Sequence, residues 1–386
     1  MGASSDVEFF PVSFMNESIK KVLRFTKIYG LPRTLTKICG RIRIGTFFFS
    51  LRPVEKSAGM LGCGQFAFST LAYFALKKGV GFISCFDVEE TRASSFSNFY
   101  RVEQVATSAN DLLDIKELKT VFIASNHASH TGYALKALKL GVNVHIEKPV
   151  SVNYEEFGEL LRVKRLSSAK IVAGYNRPFS KAIRFLGKKI GGNMQPISLS
   201  CFVSGHVLGE DHWYRKPQEG TRICGNVGHW IDLAMHLFNV RGELPDTCDV
   251  CVTYANVEDE PDDNISISIS TNLNDLVNIF LTARSEPFEG INETINVQSG
   301  NMIAKIDDFR SMQYWNGSIY KKLKFWPKDV GHKKSVEQVL GGRSQRDWHE
   351  VELSTVLMLG IKEMVLAREV QKSFEIKEEL QALIND

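Results

Sequence analysis

Ala58-Gly59-Met60-Leu61-Gly62-Cys63-Gly64-Gln65-Phe66-Ala67 passes from a short apolar run through a G-x-G-x-x-A turn into the amphipathic pattern Phe66–Lys77. A strand that feeds a glycine-rich turn and then a helix is the opening unit of a doubly wound sheet. The first glycine permits the tight turn, the second lets a pyrophosphate approach the backbone, and the small third residue lets helix and strand close up. The phosphates then rest on the helix N-terminus. A turn that merely joins two elements can carry the same letters, but the strand before it and the helix after it favour the nucleotide reading.

The same rhythm continues outward. Apolar runs at Gly81–Phe86, Thr120–Ser125, Asn143–Ile146 and Lys170–Gly174 alternate with helical patterns at Ser129–Leu140 and Tyr154–Arg165. Such alternation predicts parallel strands joined by right-handed crossovers, hence an α/β Rossmann domain over residues 57–177. Beyond Pro196 strands follow one another: Ile197–Val203, Asp249–Tyr254, Asn264–Thr271, Leu276–Ala283, Glu293–Gln298 and Ile303–Asp307. Ile265, Ile267 and Ile269 alternate with Ser266, Ser268 and Ser270, as in a sheet with one buried face. Residues 178–345 are therefore expected to form an α+β domain with a large, mainly antiparallel open sheet, and residues 346–386 a helical segment around the pattern Glu350–Val370.

Composition narrows the function classes. With 47 Lys/Arg against 44 Asp/Glu in 386 residues, and no basic run interleaved with aromatics, nucleic acid is not an expected partner. Seven cysteines at irregular spacings suit a reducing, cytoplasmic setting, and Cys248-x-x-Cys251 lacks the second pair that zinc requires. The start lacks the marks of a myristoylation site or a signal peptide, and no apolar run is long enough for a transmembrane segment. Residues 1–56 form a basic N-terminal extension with ten Lys/Arg against four Asp/Glu, a helical stretch Glu17–Tyr29 and the run Phe47-Phe48-Phe49. Such an arm packs on its own domain or a sister subunit, or touches a membrane surface or an anionic partner.

Several side chains suggest chemistry. Asp87, at the end of the second strand, is placed to accept hydrogen bonds from the adenosine ribose and to repel a 2′-phosphate, which favours NAD over NADP; Arg92 close behind can still accommodate a phosphate. Glu147-Lys148-Pro149 ends a parallel strand on the edge where open sheets bind ligands, and a lysine there can stabilise a developing alkoxide. His229, Asp232 and His236 share a helix face, but a metal site needs further convergent ligands, so no metal is expected. His212, Trp213, Tyr214 and Arg215 form a polar-aromatic loop suited to stacking on a pyranose.

Four ordered motifs carry a resemblance: Gly62–Ala67; Glu147-Lys148-Pro149; Gly174-Tyr175-Asn176-Arg177 with Phe179; and Gly220 to Asp232 with His229. Together, over residues 57–340, they resemble the Gfo/Idh/MocA family of glucose-fructose oxidoreductases and inositol dehydrogenases. The stretches Asp211-His212-Trp213, Gly220-Thr221-Arg222-Ile223, Pro261-Asp262-Asp263-Asn264 and Asp307-Asp308-Phe309-Arg310 resemble a branch of bacterial surface-polysaccharide and sugar-nucleotide metabolism. The resemblance implies hydride transfer between NAD(H) and a secondary alcohol of a sugar, cyclitol or sugar nucleotide, by a homo-oligomer, dimer or tetramer. It implies Lys148 and His229 as the catalytic pair. Gly62, Gly64, Gln65, Phe66, Ala67, Asp87, His130, Glu147, Lys148 and Pro149 would hold the cofactor. Asn176, Arg177, His212, Trp213, Arg222, Asn226 and Asp232 would meet the substrate, although Asp232 can instead orient His229. One departure stands out: many members carry an aspartate four residues before the histidine, where this chain has Gly225. A redox-inactive nucleotide- or sugar-binding protein of the same fold is the alternative that Gly225 keeps open.

Overall fold

Before the first strand come two helices, Val12–Tyr29 (α1) and Leu31–Ile42 (α2). The computed structural model describes residues 12–43, 54–256, 262–288, 290–341 and 346–385; the Phe47-Phe48-Phe49 run and Pro261 lie outside them. Of the readings open for the extension, its described part packs on its own chain. Arg33 Nη2 donates to Thr70 Oγ1 at 2.8 Å, Gln65 Nε2 to the Lys37 carbonyl at 3.0 Å, and Arg43 Nη1 to the Cys63 carbonyl at 2.9 Å. Trp326 Nε1 donates to the Lys27 carbonyl at 2.9 Å, which ties α1 to a segment 299 residues further along the chain.

The alternating region forms a parallel sheet of Glu55–Leu61 (β1), Val80–Phe86 (β2), Gln104–Val105 (β3), Thr120–Ile123 (β4), Asn143–Ile146 (β5) and Ile171–Ala173 (β6), in the order β3-β2-β1-β4-β5-β6. Its helices are Ala72–Lys77 (α3, entered through a π-helical turn at Ala67–Leu71), Glu90–Tyr100 (α4), Ala109–Leu113 (α5), His127–Lys139 (α6) and Tyr154–Leu166 (α7). Helices on both faces bury β4 completely, which is why its residues Thr120–Ile123 show no polar alternation. Strand order reverses at β1 and β4, and a crevice opens at their carboxyl ends, the place where such sheets bind ligands.

After Lys181–Ile190 (α8) and Ile197–Ser204 (β7), the helix Gly228–Arg241 (α9) precedes seven further strands: Cys248–Tyr254 (β8), Ile265–Thr271 (β9), Leu276–Thr282 (β10), Asn292–Ser299 (β11), Met302–Asp307 (β12), Ser311–Asn316 (β13) and Ile319–Lys324 (β14). With Gln371–Phe374 (β15) they make a nine-stranded sheet in the order β14-β13-β12-β11-β7-β10-β9-β8-β15, antiparallel except for the β7–β10 pair. Strand β7 buries every second residue, the alternation of a sheet with one covered face. On β8 the same alternation buries Cys248 and exposes Cys251, so the two thiols face opposite ways.

Helix His332–Val339 (α10) returns to the first sheet, where Val336 and Val339 join the apolar cluster of Phe68, Phe82 and Phe96. The long helix Trp348–Ala367 (α11) packs along α9, and Ile376–Asn385 (α12) lies on α7, where Arg162 Nη1 donates to the Leu383 carbonyl at 3.0 Å. Among the described residues no helix is long and apolar enough to cross a membrane.

Candidate active site

A cavity of about 580 Å³ lies at the carboxyl ends of β1, β4 and β5, lined by Gly62, Gly64–Ala67, Asp87, Arg92, Ser125–His127, His130, Tyr133 and Lys148, with Trp213 and Tyr214 arriving from the later loop. Gly62 sits at φ 87°, and a Cβ there would come within 2.5 Å of the Ala124 carbonyl oxygen. At Gly64 the reason for glycine differs: a Cβ would meet no protein atom within 4 Å, so the backbone faces the cleft across open space. Ala67 is fully buried under the strand. Asp87 accepts the Cys63 N–H at 2.6 Å and the Glu89 N–H at 2.9 Å, which fixes its carboxylate beside the turn. Arg92 is paired with Glu89 at 2.7 Å. This cradle fits a dinucleotide: a close-approach glycine, a helix N-terminus and an acidic ribose acceptor stand in the arrangement that a pyrophosphate and its ribose require.

The other expected cofactor residues divide by role. Phe66 is 37% exposed in the cleft and lies edge-on to His332, ring centres 5.3 Å apart. Gln65 lines the cleft with its amide turned away toward α2. His130 is buried between the Pro149 carbonyl, 2.9 Å from Nδ1, and the Ser125 carbonyl, 3.2 Å from Nε2. Burial lowers its pKa, and the single N–H of the neutral ring can donate to only one of these two carbonyls, tying α6 to that neighbour. Glu147 is buried 3.2 Å from His145 Nε2, and its carboxylate also meets the Lys148 N–H at 3.4 Å.

Lys148 Nζ donates to the Gly225 carbonyl at 2.7 Å and to Tyr214 Oη at 3.3 Å, which leaves one of its three N–H groups for a ligand. His229 begins α9, edge-on to Tyr175 at 5.7 Å, and its Nδ1 is buried without a hydrogen-bond partner. Burial, reinforced by the charges of Arg177, Lys148 and His332, pushes its pKa well below the usual imidazole value. The ring is therefore neutral near neutral pH and offers a lone pair, although the same burial makes it a weak base, and it is not among the residues that line the cleft.

Four expected substrate residues are placed otherwise. Arg177 is buried, its Nε 2.7 Å and Nη2 3.1 Å from the two oxygens of Glu293, and it stacks over Trp230; its guanidinium is committed to the fold. Asn176 is also buried and donates to the Val330 carbonyl at 2.5 Å. Asp232 is fully enclosed, paired with Arg346 at 2.8 Å and not with His229; burial outweighs that partner and raises its pKa to about 6. Arg222 pairs with Asp263 at 2.6 Å and lines a separate cavity of about 150 Å³ on the other side of Tyr214. Burial and these pairings engage Arg177, Asn176 and Asp232 within the fold, and Arg222 lines a cavity other than the main cleft. Asn226 is buried in the π-helical turn Ile223–Val227, while Trp213 reaches the cleft and His212 stacks behind it at 5.9 Å.

Sequence reasoning passed over His127, Glu219 and the part Tyr214 plays. Glu219 accepts from Asn126 Nδ2 at 2.8 Å and from the Ala128 N–H at 3.2 Å, capping the start of α6 and drawing the 205–222 loop over the cleft. His127, neutral because burial pushes its pKa far down, packs edge-on to Trp213 at 4.5 Å and against Tyr214 at 4.8 Å. The aromatic density of residues 212–214 was the available signal.

Comparison with known proteins agrees with this architecture. Residues 56–175 match the model of the oxidoreductase family with the NAD-binding Rossmann fold. An oxidoreductase of Formosa agariphila is 30% identical over 192 residues, covering 47% of this chain and 60% of the relative. The chain thus matches less than two thirds of the length of the curated relatives considered. Among solved structures, a UDP-N-acetylglucosamine 3-dehydrogenase from Acidithiobacillus ferrooxidans superposes with a TM-score of 0.65 at 17% identity, over 81% of this chain and 97% of that one. A levoglucosan dehydrogenase bound to NADH and levoglucosan gives 0.69 at 14% identity, over 82% and 99%. At these identities the likeness is one of fold.

Proposed function

We infer, from the premise that residues 56–175 belong to the Gfo/Idh/MocA family of NAD-binding oxidoreductases, that this chain interconverts a secondary alcohol and a ketone on a sugar, cyclitol or sugar nucleotide. The observation that carries the reading is the continuity of one cleft from the dinucleotide cradle at Gly62–Ala67 to the ammonium of Lys148. Bound there, the nicotinamide supplies the hydride acceptor or donor. Gly62, Gly64 and Ala67 would seat the pyrophosphate, and Asp87 the adenosine ribose, which favours NAD over NADP. Neutral His229 takes up the substrate hydroxyl's proton, and the free Lys148 N–H stabilises the negative charge that grows on that oxygen. Relatives of the same fold that are named for levoglucosan and UDP-N-acetylglucosamine support the substrate class.

The seven described cysteines are all free thiols, in keeping with a reducing cytoplasm. The uncovered face of the nine-stranded sheet, with Phe202 and Phe280 stacked at 5.1 Å and both exposed, suits pairing with a second copy. The test is a panel of cyclitols, hexoses, anhydrosugars and UDP-hexoses offered with NAD or NADP while absorbance of the reduced nicotinamide is followed. Turnover that Lys148→Ala abolishes is expected. Retained NADH with no turnover of any member would leave a binding protein of the same fold.

A further inference from the structure

Tyr214 stands where a side chain on residue 225 would have to go. A Cβ added to Gly225 would come within 2.5 Å of Tyr214 Cε2, 2.9 Å of Cζ and 3.0 Å of Cδ2, so glycine and ring share one volume. The ring is clamped by His127 at 4.8 Å and Trp213 at 4.4 Å, and its loop is anchored by Arg215, whose Nη2 reaches Asp263 at 3.0 Å and the Leu208 carbonyl at 2.8 Å. Its hydroxyl lies 3.3 Å from Lys148 Nζ, inside the cleft that both residues line. In that hydrogen bond the ammonium donates and the phenolic oxygen accepts, so the Tyr214 O–H remains free to donate elsewhere. One N–H and one O–H are thus left unspent on two atoms 3.3 Å apart.

We propose that Tyr214 is a catalytic residue: its hydroxyl and the remaining Lys148 N–H together hold the reacting oxygen of the substrate. The role rests on the dehydrogenase reading above. As the C–H bond breaks and its electron pair leaves with hydrogen for the nicotinamide, the O–H proton passes to His229 and negative charge gathers on the oxygen. Tyr214 keeps its own proton throughout and contributes a hydrogen bond that strengthens as the charge develops. In the reverse direction the same two donors polarise the carbonyl. The polar group that the resemblance places on residue 225 as an aspartate is supplied here from the 205–222 loop, on a side chain that excludes any substituent at Gly225.

Tyr214→Phe keeps the ring and its packing and removes only the donor. Its kcat should fall on the order of 10²-fold, the usual cost of one donor to a developing oxyanion, with KM and the NADH dissociation constant within about threefold of wild type. A kcat within about threefold of wild type, or a parallel loss of NADH affinity, overturns the proposal. A wild-type protein that turns over no sugar removes the dehydrogenase reading and this role with it, whereas an active wild type with an equally active Phe variant removes this role alone. Thermal unfolding checks the seat independently of turnover: Gly225→Ala should destabilise strongly when Tyr214 is present and much less beside Tyr214→Ala. Additive effects would show that the ring does not occupy that volume, and would also overturn the proposal.

Discussion

Asp87 spends both carboxylate oxygens on backbone N–H groups of the turn and of the segment after β2, so it shapes the cofactor cradle as well as facing it. Asp87→Ala should weaken NADH binding by about tenfold or more, the cost of hydrogen bonds to a charged group, and should narrow the difference between NADH and NADPH. Fluorescence titration with both cofactors measures it. For His229→Ala we expect turnover to drop by about two to four decades with NADH affinity little changed. Because burial holds His229 neutral well below the usual imidazole value, the wild-type oxidation rate should show no titration as pH falls through about 6.5. A pH-rate profile with its inflection at that value would count against the assignment. Arg177→Met leaves Glu293 buried and unpaired, and should cost about 3–5 kcal/mol in a denaturant titration. The position of Lys148 and Asp87 on one cleft was legible because strand ends announce themselves locally. The ion pairs of Arg177 and Asp232 were not legible because their partners, Glu293 and Arg346, lie 116 and 114 residues away in sequence.

At the scale of elements, the expected strands and helices of the first sheet recur with shifts of a few residues, since each repeats a short apolar run and an amphipathic stretch. Two omissions have a local cause: α4 gathers Phe96, Phe99 and Tyr100 into its second half, and β14 is exposed nearly throughout, so neither has the periodicity that a single sequence displays. Helices α2, α8 and α10 are amphipathic and were passed over although their periodicity was there to read. The extension likewise looked detachable by composition, yet Arg43 and Lys37 reach the backbone of Cys63 and the amide of Gln65 inside the dinucleotide turn. Removing residues 1–43 should therefore lower both the melting temperature and the affinity for NADH. A truncated protein that matched the full chain in both respects would show that the two helices ride on the domain without supporting its turn.

Across the whole molecule, burial keeps His127, His229, His236 and His332 neutral, each with its pKa well below the usual value, and lowers His130 as well. The unfolded chain binds protons on these rings below about pH 6.5 and the folded chain does not, so each ring subtracts up to about 1.4 kcal/mol per pH unit as pH falls past that point. Asp232, raised to about 6, works in the opposite sense, and its contribution disappears as pH rises through that value. The histidines outnumber it, so the melting temperature should decline as pH falls below about 6.5, well above the range where carboxylates titrate. A flat profile there would mean that water reaches these rings. Light scattering should give a dimer or larger, with the Phe202→Asp variant shifted toward the monomer. The nine-stranded sheet also sets a timetable for biosynthesis. Strand β8 emerges from the ribosome long before β15, the short lysine-bearing strand that covers its outer edge, so the nascent sheet carries an open flank until residues 371–374 are made. Chains stalled or cleaved before residue 371 would keep that flank, and should be the ones that chaperones retain and proteases clear.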